Sequence, residues 1–256
     1  MSENQKTIEK TEKTKETEQI EKIEEIDRTV NKTDWPLHVH AYSVHHFDHD
    51  KKKGKFILAN YDEDSIIVYQ AFKPSIGKYA IKNQTFKGCP DYSYTRMTWI
   101  KTEYLWMNHR SGWSTKKNQE ITLALRVSHE GFLKILSLAF PGHFYATSTR
   151  FENEEQFRKL LKESRNNPSQ VRLQWDPAWS VTDNKIGTRR AIQLGLKGEI
   201  AKEFIEDYVT EIINITPLVH HGLNNFVKSK DSKLTPVPVE KEFIVSEEIQ
   251  KIICMI

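Results

Sequence analysis

Tyr94-Thr95-Arg96-Met97-Thr98-Trp99-Ile100-Lys101-Thr102-Glu103-Tyr104-Leu105-Trp106-Met107-Asn108-His109-Arg110-Ser111-Gly112-Trp113 changes its hydrophobic period midway. Thr95 to Lys101 alternates as a strand does, with Arg96, Thr98 and Ile100 on one face and Met97, Trp99 and Lys101 on the other. Thr102 is then placed to cap a helix over Glu103 to Arg110, and Gly112 to end it. Trp99, Trp106 and Trp113 recur every seven residues, which on one continuous helix would make a stripe, but the alternation before Thr102 and the break at Gly112 argue against a single helix. The stretch therefore predicts strand, helix and stop. It also holds half of the chain's six tryptophans, together with Arg96, Lys101, His109 and Arg110. Large rings among cations suit a grip on a planar, anionic ligand.

Outward from this stretch, strands and helices intermingle. Phe56 to Asn60 and Ser65 to Phe72 read as strands joined by a turn at Asp62, Glu63 and Asp64. Pro74 opens a short helix, and Gly88 to Asp91 read as a loop. Further strands are expected at Ile121 to Val127, Val171 to Trp175 and Ala191 to Leu196. Helices are expected from Ser128 or His129 through Phe140, at Glu154 to Ser164, over residues 198–213 and at Thr216 to Lys228. Pro236 and Pro238 mark an extended closing segment, and Ser246 starts a last short helix. No regular βαβα count results. The expected fold is α+β: a single domain over residues 55–256 with a mixed or antiparallel split sheet flanked by helices.

Two segments precede that domain. Residues 1–34 hold ten carboxylates against seven cations and almost no aliphatic residue before Ile20, so a disordered charged tail is expected. Residues 35–54 form a His- and Lys-rich arm containing His38, His40, His45, His46 and His49; the irregular spacing marks no closed metal site. The tail stands at −3 and the whole chain at +3, which leaves the remainder at +6. A modestly basic body permits a phosphate-bearing partner. Two distant cysteines, Cys89 and Cys254, exclude a zinc ribbon or a dithiol motif. A charged N-terminus and no long apolar run lead to the expectation of no membrane partner and an intracellular location, cytoplasmic or nuclear. Rossmann, P-loop and zincin motifs are absent.

Among 28 lysines and 10 arginines, an arginine held in an aromatic-rich segment suggests that its planar fork matters. Arg96 and Arg110 lead these candidates, followed by Arg189 and Arg190; an internal ion pair is the competing role for each. Trp106 and Arg110 lie one helical turn apart and can stack. Core burial is the competing role for the tryptophans. Asp176 follows Trp175 at the end of an expected strand, where a carboxylate can act as acid, base or hydroxyl acceptor; an Asp-Pro turn is the simpler reading. Gln193, inside a strand, needs a polar partner if buried. Lys101 stands in Lys-Thr-Glu-Tyr rather than a KxDG motif, which argues against a lysine–nucleotide intermediate.

Asn60-Tyr61-Asp62, Val68-Tyr69-Gln70-Ala71-Phe72 with Pro74, Arg96 to Lys101, Leu105-Trp106-Met107, Arg110-Ser111-Gly112-Trp113, Val171 to Pro177, Ile192 to Leu196 and Pro238-Val239-Glu240 together resemble the domain-of-unknown-function 4291 family. The resemblance runs from about Phe56 to the C-terminus and supplies no reaction. Leu58 stands where the family is expected to carry Arg. A fainter resemblance joins Val68 to Phe72, the following Pro and short helix, and Phe86 to the strand–helix element of ADP-ribosyltransferases. It implies that Tyr69 and Gln70 hold NAD, and that a carboxylate supports an oxocarbenium-like state. Gln70 replaces the histidine common in that class, so Asp176, with Gln193 as a positioning group, would serve in catalysis.

The resulting expectation is a nucleotide-handling, ADP-ribosyltransferase-like enzyme. Its catalytic candidates are Asp176 and Gln193. Its NAD-binding candidates are Tyr69, Gln70, Arg96, Trp99, Lys101, Trp106, Arg110, Trp113 and Arg190. The alternatives are a non-catalytic RNA- or nucleotide-binding module and a partner-binding protein acting through its charged tail.

Overall fold

The computed structural model describes residues 35–42, 52–164, 171–225 and 235–256. In chain order the elements are β1 (Val39–Ala41), β2 (Gly54–Lys55), β3 (Leu58–Ala59), β4 (Ser65–Phe72), α1 (Pro74–Asn83), β5 (Thr98–Lys101), α2 (Tyr104–Ser111), β6 (Ile121–Ser128), α3 (His129–Ser137), β7 (Ala139–Pro141), α4 (Glu154–Ser164), β8 (Val171–Trp179), β9 (Lys185–Leu196), α5 (Glu199–Glu203), a π-helical turn (Phe204–Tyr208), β10 (Val209–Asn214), α6 (Thr216–Asn224), β11 (Pro236–Pro238), β12 (Lys241–Glu242) and α7 (Glu247–Ile252). The expected tail over residues 1–34, and His45, His46 and His49 of the arm, lie outside the described residues.

One sheet organises the molecule, in the order β10-β6-β4-β5-β9-β8-β7, with β2 added alongside β9. The β7–β8 and β2–β9 pairs are parallel and the other pairs antiparallel, giving the expected α+β class with a mixed sheet. The joint between β4 and β5 is a single register pair, Tyr69 opposite Lys101, whereas β4 pairs with β6 along all eight residues. Beyond Tyr69 the two strands part, and Gln70 spans the gap: its amide Nε2 donates to Thr98 Oγ1 at 2.6 Å and to the Trp99 carbonyl at 3.0 Å.

Alternation sorts the strands into two cores. Ile66, Val68, Ile100, Leu123, Leu125, Leu173, Trp175, Ile192 and Leu194 face one way, against Phe132, Ile135 and Leu136 of α3. Ile67, Tyr69 and Ala124 face the other way, against Tyr104, Leu105 and Met107 of α2 and Leu218 and Val219 of α6. Burying each such aliphatic or aromatic side chain contributes about 1.5–3 kcal/mol relative to exposure.

Several expectations are corrected. The packed chain begins before Lys55: Val39–Ala41 pairs with Pro236–Pro238, and Leu37, Val39 and Ala41 join the second core. The helical reading of residues 198–213 holds only to the π-helical turn; Val209–Asn214 is an edge strand on β6. Its β-branched residues, Val209, Thr210, Ile212 and Ile213, prefer a pleated surface once a strand edge is available. Thr102 caps nothing: the first N–H of α2, on Tyr104, donates instead to Glu240 Oε1 at 2.7 Å, from the far end of the chain. Asp176 and Pro177 form no turn. Both lie inside β8, opposite Ala191 and Arg190, where an irregular register after Pro177 absorbs the missing donor. Among the described residues, no helix is long and apolar enough to cross a membrane.

Candidate functional site

A cleft of about 590 Å³ opens where β4 and β5 separate. Gln70, Ala71 and Phe72 form one wall and Thr98, Trp99 and Lys101 another; Lys73 and Ile76 enter from the start of α1, and Tyr92, Arg96 and Met97 from the loop before β5. Met107 and Arg110 of α2, and Lys117, Asn118 and Gln119 after it, close the far side, and Gln193 lies at the floor. Five cations line this space (Lys73, Arg96, Lys101, Arg110 and Lys117) against one carboxylate, Asp91, which is already paired with Lys73 at 3.0 Å.

Each side chain has a local reason for its place. Trp99 lies opposite Gly195 across the β5–β9 ladder. A Cβ at Gly195 would sit 2.8 Å from Met97 Sδ and 3.0 Å from the Trp99 ring, so the glycine seats both cleft residues. Arg110 projects from the last turn of α2, which ends as expected at Gly112 with φ +58°. Lys101 ends β5 and faces Gln193. Its side chain is buried, with 4% of the residue exposed, and no carboxylate lies within ion-pair distance among the described residues. Its ammonium lies 5.7 Å from the Trp106 ring centroid. Burial first, and then the Arg110 guanidinium, lower the Lys101 pKa to about 7 against a partial restoring pull from Asp176.

Beside the cleft, Gln193 Nε2 donates to Asp176 Oδ2 at 3.0 Å and to Gln174 Oε1 at 2.8 Å. Burial raises the Asp176 pKa, while Lys101, His143 and Arg190 pull it back. The Trp106 N–H also lowers it from nearby, without forming a hydrogen bond of standard geometry. A carboxyl whose pKa is raised and an amine whose pKa is lowered thus lie on one sheet face.

Of the expected site residues, Gln70, Arg96, Trp99, Lys101, Arg110 and Gln193 line the cleft. Asp176, Trp106 and Arg190 lie next to it: Trp106 packs on Ala178 and Ala191, and Arg190 acts on Asp176. Tyr69 and Trp113 lie away from it. Tyr69 is fully buried on the sheet face opposite to Gln70, edge-on to Tyr104, and Trp113 packs on Tyr104 and against Gly222 in the same core. Arg189 takes the internal role, with Nη1 donating to both oxygens of buried Glu103 at 2.9 Å. Leu58, which departs from the expected Arg, is fully buried in β3 and is not one of the residues lining the cleft. The reading from sequence missed Lys73, Tyr92 and Lys117; the cation run Lys116-Lys117 just after the Gly112 stop was the available signal.

No match is found among curated proteins. A family model described as "Domain of unknown function (DUF4291)" matches residues 56–243, which include every residue lining the cleft. The chain belongs to that family.

Proposed function

We propose that the chain is a nucleotide-handling enzyme whose cleft holds the phosphates of its ligand with Arg96 and Arg110, beside Lys101, and stacks the base on Trp99. The observation that carries this reading is the excess of five cations over one paired carboxylate around a cleft walled by Trp99 and Tyr92. Guanidinium forks match phosphate oxygens, and an indole face accepts any planar base. The volume of about 590 Å³ falls in the range of cavities that enclose small molecules. NAD is the nucleotide that the ADP-ribosyltransferase resemblance singles out. Gln70, at the cleft wall, supports that choice; Tyr69, in the core, does not contribute to it.

The test is thermal stabilisation of the full chain by NAD, ADP, ATP and pyrophosphate in parallel. A shift with at least one of them, lost in Arg110→Gln, is expected. No shift at millimolar concentration of any of the four overturns the reading. Tight, steeply salt-dependent RNA binding that mononucleotides fail to compete for would favour the RNA-binding alternative.

A further inference from the structure

We propose that Lys101 is a nucleophilic amine that condenses with the carbonyl carbon of a phosphorylated aldehyde or ketone held in the cleft. This deepens the phosphate-binding reading and rests on it. Four other cations already line the cleft, each from outside the strands of the sheet. Lys101 alone of the five comes from within the sheet, buried, with no carboxylate in ion-pair distance among the described residues and Trp106 beside it. As a binding charge this arrangement is poor, because burial and a neighbouring guanidinium both act against the ammonium. As a nucleophile it is favourable, since a desolvated lysine next to another cation presents its lone pair near neutral pH. The charged and titratable groups that act on it are Arg110 from α2, which favours the neutral amine, and Asp176 from β8, which opposes it.

The neighbouring groups suit the remaining proton transfers. Neutral Nζ adds to the carbonyl carbon; the C–N bond forms as the C=O π pair passes to oxygen. One nitrogen-bound proton then moves to that oxygen. A second proton, delivered by Asp176 once it has itself taken one up, lets the hydroxyl leave as water and yields the protonated imine and the Asp176 carboxylate. No oxidant or reductant is consumed. Gln193 commits its Nε2 to Asp176 and Gln174, so the polar atom it can turn towards the nascent hydroxyl is Oε1. Arg96 and Arg110 are the groups available for the phosphate.

The probe is pyridoxal 5′-phosphate, a planar phosphorylated aldehyde, with unphosphorylated pyridoxal as its control. Full-length protein is incubated with each, reduced with borohydride and mapped by peptide mass spectrometry. The expected result is one dominant reduced adduct, on Lys101, protected by pyrophosphate and formed at least about tenfold less with pyridoxal. Lys101→Met abolishes that adduct. Arg110→Gln, a change at an exposed position, keeps the amine but lowers capture at pH 7 and moves its pH midpoint upward. Pyrophosphate binding without any Lys101 adduct overturns the amine inference and leaves the phosphate reading standing. A Lys101 adduct that pyrophosphate does not protect, formed equally with pyridoxal, overturns the phosphate part. Labelling scattered over exposed lysines overturns the proposal outright.

Discussion

Lys101 lies directly across the β5–β9 ladder from Gln193, and Gln193 in turn holds Asp176 and Gln174 through its amide nitrogen. Three neighbouring strands thus present an amine, an amide and a carboxyl on one face, beside the point where β4 and β5 separate. The relation follows from register: side chains directly opposite across a ladder share a face, and a slip of one residue would send Lys101 into the apolar core beneath.

Lys101→Met is expected to stabilise the fold while weakening binding. Lys101 titrates at about 7 in the folded protein against an ordinary value of 10.5. Between those values the unfolded chain binds one proton more than the folded one, so this group's contribution rises with pH across that window and is most unfavourable at or below pH 7. Methionine removes the cost and keeps most of the volume. Urea unfolding at pH 6.5 should show a gain on the order of 1–3 kcal/mol, shrinking as the pH approaches 10. A loss of stability at pH 6.5 would show that the amine is held by favourable partners instead.

Arg189→Met is expected to do the opposite. The Arg189–Glu103 pair is buried, and removing the guanidinium takes a counter-charge from Glu103 close to a second carboxylate, Glu240, whose pKa burial and Glu103 already raise. Breaking a buried pair from one side costs about 3–5 kcal/mol. The loss should be largest at neutral pH and smaller in mild acid, where protonation of Glu240, whose pKa is already raised, relieves the repulsion between the two carboxylates. Denaturant titrations at pH 7 and pH 5 check both the size and the trend.

Tyr69→Phe separates a core tyrosine from a ligand-binding one. The Tyr69 hydroxyl is buried without a hydrogen-bond partner among the described residues, and burial raises its pKa. An unpaired buried hydroxyl costs free energy, so its removal should leave stability unchanged or raise it by about 1 kcal/mol. Nucleotide-induced thermal shifts should match those of the unaltered protein. A selective loss of the NAD shift would return Tyr69 to the binding site.

The fate of Tyr69 also shows what could be read from the chain. Val68-Tyr69-Gln70 was legible as a strand, but what Tyr69 packs on was not: it lies edge-on to Tyr104 in the second core, whereas Gln70, on the other face, lines the cleft. The change of period around Thr102 was legible because alternation, an αL glycine and cation spacing are local signals, and they brought Arg96, Trp99, Lys101 and Arg110 to one place. The cap from Glu240 and the strand at Val209–Asn214 were not legible, because both depend on partners more than 80 residues away in sequence. Pro177 inside β8 read as a turn because only the irregular register with β9 makes room for it.

Gly195→Ala tests whether the seating of Trp99 matters to what the cleft holds. The added methyl would meet Met97 Sδ at 2.8 Å and the edge of the Trp99 indole at 3.0 Å, and Trp99 is a ring of the wall whereas Met97 is a flexible thioether. Methionine can turn aside at small cost, but the indole, half-buried between β5 and the cleft, must tilt into the space where a base would stack. The expected outcome is a modest stability loss, about 1–2 kcal/mol, with a weakening of nucleotide binding larger than that of pyrophosphate binding, since phosphates engage the arginines and leave Trp99 untouched. Parallel titrations with ADP and pyrophosphate, followed by tryptophan fluorescence and by thermal shift, measure the two effects separately. Equal weakening of both ligands would mean that Trp99 does not stack on the base.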